Sequence, residues 1–266
     1  MDLDHARTVA VEAAEAAGAL IREGTRRALR VHAKGTAGDV VTDLDLASEK
    51  LLLERILTAF PSHAVIAEES GLNGSGGGEW TWLVDPLDGT NNVAIGLPAY
   101  VVGVALCRAG LPQLGVVHDP VSGQTWSAVR GGGALASSGG RLSAPYAPSP
   151  HGPLLAWIQG YGIAREDPTV LRLKAALDLN ARRVLQLWTP LLSWAMLARG
   201  DIDGIVGYRT GVVDLPAGAL LAQEAGIEIR ALDGGPYDEC VRGASDVRSY
   251  VAAHPRALPG LLALLQ

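Results

Sequence analysis

Apolar side chains at Val9, Ala13, Ala16, Leu20 and Ile21 recur at helical spacing behind Asp4, a residue able to cap. They predict an amphipathic helix over 4–29. Leu53, Ile56, Leu57 and Phe60 share one face of a second helix over 46–60, with Pro61 as its stop. The period then shortens. HAVIAEES (63–70) and WTWLVDP (80–86) read as strands that end in acids. The segment between them, GLNGSGGGE (71–79), reads as a flexible loop whose glycines would let it move over a site. YVVGVALC (100–107), QLGVVHD (113–119) and TWSAVRG (125–131) follow as strands with turn residues between them. This half is therefore expected to be α+β with a largely antiparallel sheet. SAPYAPSPHGP (143–153) is the single proline-rich stretch and predicts a subdomain boundary, with residues 1–145 before it and 146–266 after it. Beyond it a helix over 167–178 precedes RRVLQLW, PLLSWAMLARG and DIDGIVG. A helix then runs from Asp214 through Ala225 to Gly226, and IEIRAL reads as a strand, so this half is expected to be α/β.

Composition narrows the classes. The 266 residues are 48% hydrophobic, enough for a core, but contain one Phe, so Leu, Val, Ala and six Trp must fill it. A net charge of −6 speaks against a nucleic-acid surface, which needs a basic face. It leaves room for a small anionic ligand held through metal ions. Cys107 and Cys240 form no CxxC or disulfide framework and read as core thiols of a reducing cytoplasm. The acidic N-terminus MDLDHARTVAVEAA has no apolar core of a signal peptide, and no apolar run is long enough to span a membrane. The chain is expected to be cytoplasmic, without a membrane or nucleic-acid partner.

The chemistry concentrates in LVDPLDGTNN, residues 83–92. On a regular strand, residues three apart point to opposite faces. Asp85 and Asp88 converge only if the chain leaves the strand between them, and Pro86 fits that departure. Gly89 and Thr90 then offer backbone amides as an anion cradle. Acids beside an anion cradle make sense with divalent cations between them; the plain alternative is a surface turn. Glu68 in AEES, Asp214 before LPAGALLAQEAG, and Asp39, Asp43 and Asp45 in GDVVTDLDLASEK could complete a cage. Each has its own alternative: Glu68 as a solvated strand end, Asp214 and Asp45 as helix caps. Oxygen ligands of this kind suit Mg²⁺. The six His show no ligand spacing, which argues against zinc.

With Lys34 and Gly35 before DVVTDLD, then AEES, WLVDPLDGTNN, GVVHDPVSGQTWSAVRGGGA and VDLPAGALLAQEAG, the chain resembles the inositol monophosphatase superfamily of Mg²⁺-dependent, lithium-sensitive phosphatases over nearly its whole length. The resemblance implies a layered αβαβα sandwich and a homodimer. It implies two or three Mg²⁺ ions: one on Glu68, Asp85 and the Leu87 carbonyl, a second on Asp85, Asp88 and Asp214, and a third assisted by Glu68. Asp45 and Thr90 would orient and help deprotonate the attacking water, and the amides of Gly89 and Thr90 would hold the phosphate. Asp88 and Asn91 would contact the small phosphorylated substrate.

The departures from the family pattern concern the substrate. Val213 stands where a Trp usually precedes the last metal aspartate. GYRTGVVD, with Gly207 and Arg209, lacks the usual acid. LQLWTPLLS, with Trp188, Thr189 and Pro190, replaces a Gly-Ser-Ala stretch, and Asn92, Val93 and Ala94 replace an aromatic and a Val-His pair. A leaving group other than plain inositol is expected. Trp188 could stack a base, against the alternative of core packing. Arg209 could meet a second phosphate or carboxylate, against that of a solvated loop cation. A haloacid-dehalogenase type phosphatase would place a nucleophile at Asp85, but its D-x-D-x-T spacing differs from the D-x-x-D-G-T found here. A catalytically silent metal-binding module is the other alternative.

Overall fold

The computed structural model describes residues 1–34, 38–75 and 78–265. Along the first half run α1 (Leu3–Gly24), β1 (Val31–Lys34), β2 (Asp39–Thr42), α2 (Asp43–Ala59), β3 (Ala64–Ala67), β4 (Gly71–Gly74) and β5 (Trp80–Asp88). Then come α3 (Thr90–Ala94), β6 (Val101–Arg108), β7 (Leu111–Asp119), β8 (Gln124–Val129) and β9 (Gly133–Ala136). The second half holds β10 (Leu154–Gln159), α4 (Pro168–Asn180), β11 (Arg183–Leu185), α5 (Pro190–Arg199) and β12 (Gly204–Gly211). It closes with α6 (Pro216–Glu224), β13 (Glu228–Ala231), β14 (Val247–Ala253) and α7 (Leu258–Leu264).

These elements stack as five layers. Outermost are α1 and α2, whose apolar faces cover one side of a sheet ordered β4-β3-β5-β6-β7-β8-β9. The buried stripe of α1 is mostly alanine (Ala6, Ala10, Ala13, Ala14, Ala17), which lets the helix lie close to its neighbours. The other side of that sheet meets α5 and α6 around Trp194, Leu220 and Leu221. Beneath them lies a sheet ordered β11-β10-β12-β14-β13, and α4 and α7 cover its far face through Leu173, Leu177 and Leu261. The architecture is the expected αβαβα sandwich. In the larger sheet only β3 and β5 are parallel neighbours; every other pair is antiparallel.

Several boundaries differ from the sequence reading. The first helix ends at Gly24, and Asp2 rather than Asp4 caps it, accepting from the amides of Asp4 and His5. The second begins at Asp43 because Thr42 is its cap, and Asp45 returns a bond to the Thr42 amide. Asp45 is therefore not the cap. Residues 71–74 are an edge strand paired with β3, not loop; residues 76 and 77 of that stretch, like Gly35, lie outside the described residues. Of the cysteines, Cys107 is buried but Cys240 only half-buried. No helix among the described residues is long and apolar enough to cross a membrane.

One close approach joins the fold to the site. A Cβ added at Gly115 on β7 would stand 2.5 Å from the Ala217 carbonyl oxygen and 2.9 Å from Ala217 Cα, at the start of α6. Neither backbone atom can rotate away. Alanine normally favours a strand over glycine by reducing unfolded-chain entropy, but here the clash decides the sign. Gly115→Ala is expected to destabilise the protein by about 2 kcal/mol, measured by urea unfolding. A neutral or stabilising effect would contradict this packing.

Candidate active site

Asp85 and Asp88 converge without the chain leaving its strand. In the β5–β6 ladder Asp85 pairs with Gly103 and Asp88 with Val101, so three steps on β5 oppose two on β6. The extra residue makes a β-bulge across Pro86 and Leu87, which turns both carboxylates to one side. Proline suits the place because it has no N–H to lose from the ladder. The bulge is anchored: Ser48 Oγ donates to the Pro86 carbonyl at 2.7 Å, and the Leu87 amide donates to Asp85 Oδ1 at 3.0 Å.

Two further acids arrive from elsewhere. Glu68 follows β3, its amide bonded to the Val84 carbonyl at 3.1 Å. Asp214 lies between β12 and α6. The helix starts at Pro216 with Leu215 at its cap and no side-chain cap bond, so Asp214 does not cap and its carboxylate is left for the cavity. Glu68, Asp85 and Asp214 each offer an oxygen such that all three lie within 4.8 Å of one another. Burial pushes all three carboxyls above their usual range; the charges of Glu68 and Asp88 add to it at Asp85 and Asp214, whereas Lys34 and a bond with Asp85 pull Glu68 back. Lys34 Nζ answers part of that charge, donating to Glu68 at 2.9 Å and Glu69 at 2.8 Å. The glutamates raise its ammonium against burial, which alone would lower it.

Asp88 stands beside this trio. Its Oδ2 accepts from the Thr189 hydroxyl at 2.8 Å and the Leu191 amide at 2.6 Å. Oδ1 takes neither bond. Burial pushes the Asp88 carboxyl up to about 8, against the pull of those donors. Asp45 is fully buried. Its Oδ2 accepts from the Thr42 amide at 2.8 Å and hydroxyl at 2.5 Å, and its Oδ1 from the Thr90 hydroxyl at 2.6 Å. Thr90 Oγ1 also lies 3.0 Å from the Leu87 carbonyl. Gly89 precedes α3 with φ 105°, where a side chain is strained, and a Cβ there would meet the Ala99 oxygen at 2.8 Å. The amides that open α3 have no acceptor within the helix.

A cavity of about 760 Å³ joins these groups to Asn91, Trp188 and Arg209. Trp188 is 59% exposed, so it is not a core residue. It and Arg209 both have positive φ, 55° and 49°, at an expected cost of about 1–3 kcal/mol each. Arg209 sits in a second bulge, where β12 shifts register against β14 between Gly207 and Thr210; it is a strand residue rather than a loop cation. Asp39 lines the cavity too, whereas Asp43 is exposed and 3.9 Å from Arg30.

Sequence reasoning missed three participants. Glu49 holds the amides of Glu69 and Ser70 at 2.8 and 3.0 Å, fixing the turn after Glu68. Tyr161 lines the cavity, and Asn91 Nδ2 lies 3.4 Å from its hydroxyl. Asn92, fully buried, donates to the carbonyls of Ala99 and Leu187, each at 2.6 Å. Glu49 had a local signal, a second acid on the helix facing AEES. Tyr161 and Asn92 had none, because their partners come from distant segments.

The fold is a layered αβαβα sandwich that gathers three acids from separate segments into one cavity. The chain belongs to the inositol monophosphatase family, whose profile matches residues 2–266. Chloroplastic phosphatase IMPL1 of Arabidopsis thaliana is 30% identical over 262 residues, covering 96% of this chain and 69% of that one. Nus factor SuhB of Escherichia coli K12 is 31% identical over 257 residues, covering 96% of this chain and 93% of that one. Among solved structures, inositol monophosphatase from Anabaena matches with TM-score 0.84 at 29% identity, covering 100% of this chain and 96% of that one. The suppressor protein SuhB of Bartonella henselae reaches TM-score 0.87 at 25% identity over 97% of each chain. Family membership supports a metal-dependent phosphatase, and the acidic cluster could hold a metal.

Two outcomes follow from this geometry. Because the folded Asp88 carboxyl binds its proton up to about pH 8, and an unfolded one only to about 3.9, the metal-free fold holds more protons than the unfolded chain between those values. Stability from this site is therefore lost as pH rises through that window. In chelator, Asp88→Asn is expected to make the unfolding midpoint fall less between about pH 5 and pH 8 than in the parent; equal slopes would contradict the shift. Asn92→Ala strands two carbonyls and is expected to cost about 2 kcal/mol in urea unfolding.

Proposed function

We propose that this protein is a Mg²⁺-dependent phosphomonoesterase that hydrolyses a small phosphorylated metabolite, such as a sugar or inositol phosphate, a nucleotide or a related ester. The observation that carries this reading is the Asp45–Thr90 pair at 2.6 Å beside the cluster of Glu68, Asp85 and Asp214.

The donor set fits magnesium. It is all oxygen, with no sulfur or imidazole, with Asp85 buried and Glu68 and Asp214 half-buried, and it is partly unneutralised. Glu68, Asp85 and Asp214 would hold the ion, with Asp88 Oδ1 and the Leu87 carbonyl as further ligands, and two or three ions are what the family pattern supports. Bound there, magnesium would offset the acids, make a nearby water more acidic and draw in phosphate oxygens.

The chain's own groups do the rest. The Thr90 hydroxyl donates to Asp45 Oδ1, so a lone pair on Thr90 Oγ1 faces away from Asp45 and can accept a proton from the attacking water. Asp45 takes the threonine proton in turn, a general-base relay. The Thr42 donors keep Asp45 aimed at Thr90. The amides of Gly89 and Thr90 bind phosphate oxygens as the water oxygen bonds to phosphorus and the ester P–O bond breaks; the departing oxygen, bordered by Asp88 and Asn91, takes a proton from solvent in the cavity and leaves as the alcohol. Asp85 is not the nucleophile in this scheme; its Oδ1 already accepts the Leu87 amide.

The relatives named Nus factor support a second reading, a role exerted by binding a partner rather than by hydrolysis. The intact Asp45–Thr90 pair favours hydrolysis. Lithium inhibition and a homodimer are what the family resemblance suggests, and the two free cysteines suit a reducing cytoplasm. Phosphate release from a generic ester should require Mg²⁺ and fall at least about a hundredfold in Thr90→Ala and further in Asp85→Asn. Release unaffected by either substitution, or absent in the parent, would overturn the reading.

A further inference from the structure

Trp188 is the part of the cavity that folding alone does not explain. Its ring is 59% exposed and its backbone lies in the left-handed region. An exposed indole gains little from packing, and the backbone is strained, yet the surrounding loop is fixed from three sides. Asn92 Nδ2 holds the Leu187 carbonyl at 2.6 Å, immediately before it. The Thr189 hydroxyl, immediately after it, bonds Asp88 at 2.8 Å, and the Leu191 amide bonds the same oxygen at 2.6 Å. The backbone that carries this aromatic face at the cavity is thus held from β5 and α3.

Arg209 is the second such feature. It is exposed on the same cavity, raised by a bulge, and strained at φ 49°. Its amide is tied to Ser249 Oγ at 3.0 Å. The approach of its carbonyl to Gly160, where a Cβ would come within 1.9 Å, leaves that strand no room to shift. Its guanidinium enters none of the ion pairs found among the described residues. The acid lining this part of the cavity, Asp246, is engaged by the Arg242 amide at 2.8 Å and by Arg248 at 3.4 Å. The leaving-group side therefore offers a planar apolar face and an uncommitted cation that matches carboxylate or phosphate geometry.

We propose that Trp188 and Arg209 form a leaving-group subsite for a phosphate ester that carries both an aromatic ring and a second anionic group, the ring stacking on Trp188 and the anion pairing with Arg209. A nucleoside bisphosphate has this chemistry; an inositol monophosphate has neither element. The proposal rests on the phosphatase reading above and narrows its substrate.

Four esters separate the parts: adenosine bisphosphate has ring and second anion, adenosine monophosphate the ring, fructose bisphosphate the second anion, and glycerol phosphate neither. The parent enzyme should show its highest kcat/KM on adenosine bisphosphate. Trp188→Ala should lower the ratio of kcat/KM between adenosine and ringless esters by about tenfold, and Trp188→Phe should restore most of it. Arg209→Gln should lower the ratio between bisphosphates and monophosphates by a similar factor. Calorimetric titration of adenosine bisphosphate with Mg²⁺ present, in the slow Thr90→Ala background, reads the same subsite by binding, and adding either Trp188→Ala or Arg209→Gln should weaken it. Mg²⁺-dependent release at equal rates from all four esters would overturn the subsite and leave the phosphatase reading standing. Release from none would overturn the phosphatase reading, and the titration would then decide the subsite: binding lost in Trp188→Ala and Arg209→Gln upholds it, and no binding by the parent overturns it.

Discussion

The mutual repulsion of Glu68, Asp85 and Asp214 is the constraint around which this structure is arranged. Carboxylates whose oxygens come within 4.8 Å of one another either move apart or take up protons, and here the backbone prevents the first. Three devices prevent it. The bulge in β5 turns Asp85 and Asp88 to one side. The end of β3 fixes Glu68 by pairing its amide with Val84. The start of α6 holds Asp214 where the helix packs backbone to backbone on Gly115. Lys34 then supplies one positive charge at the rim. A site built this way stores unfavourable electrostatics that a divalent cation relieves, which is how the fold is biased toward binding one.

The same residues also shape the wall that faces the leaving group. Asp88 divides its oxygens, giving one to Thr189 and Leu191 and leaving the other beside the acids. Asn92, in α3 after the Gly89 and Thr90 amides, reaches the Leu187 carbonyl. The position of Trp188 is therefore tied to the segment that carries Asp85 and Asp88. On the proposed reading, the departures from the family pattern after DGTN and around Trp188 belong together.

Much of this was legible in the sequence. The acids of DPLDG, AEES and VDLPAG carried the cluster, and apolar periodicity gave α1, α2 and the meander from β6 to β8. What was not legible depends on tertiary partners. Pro86 read as the point where the strand stops; only the pairing with β6 reveals a bulge. Capping remained an alternative for Asp214, because a helix that begins two residues later cannot be told from spacing alone. β1 and β2 have only four residues each, and the apolar run of β10 does not distinguish strand from buried helix. For Trp188, core packing stood as the alternative to stacking a base, and only its exposure removes that alternative.

The most direct test of the central claim is a crystal structure grown with Mn²⁺ in place of Mg²⁺, read by its anomalous scattering. The expected result is a peak bound by carboxylate oxygens of Glu68, Asp85 and Asp214, at metal–oxygen distances of about 2.0–2.3 Å. A map with no peak between these three residues, or with Glu68 or Asp214 turned out of the cavity, would contradict it.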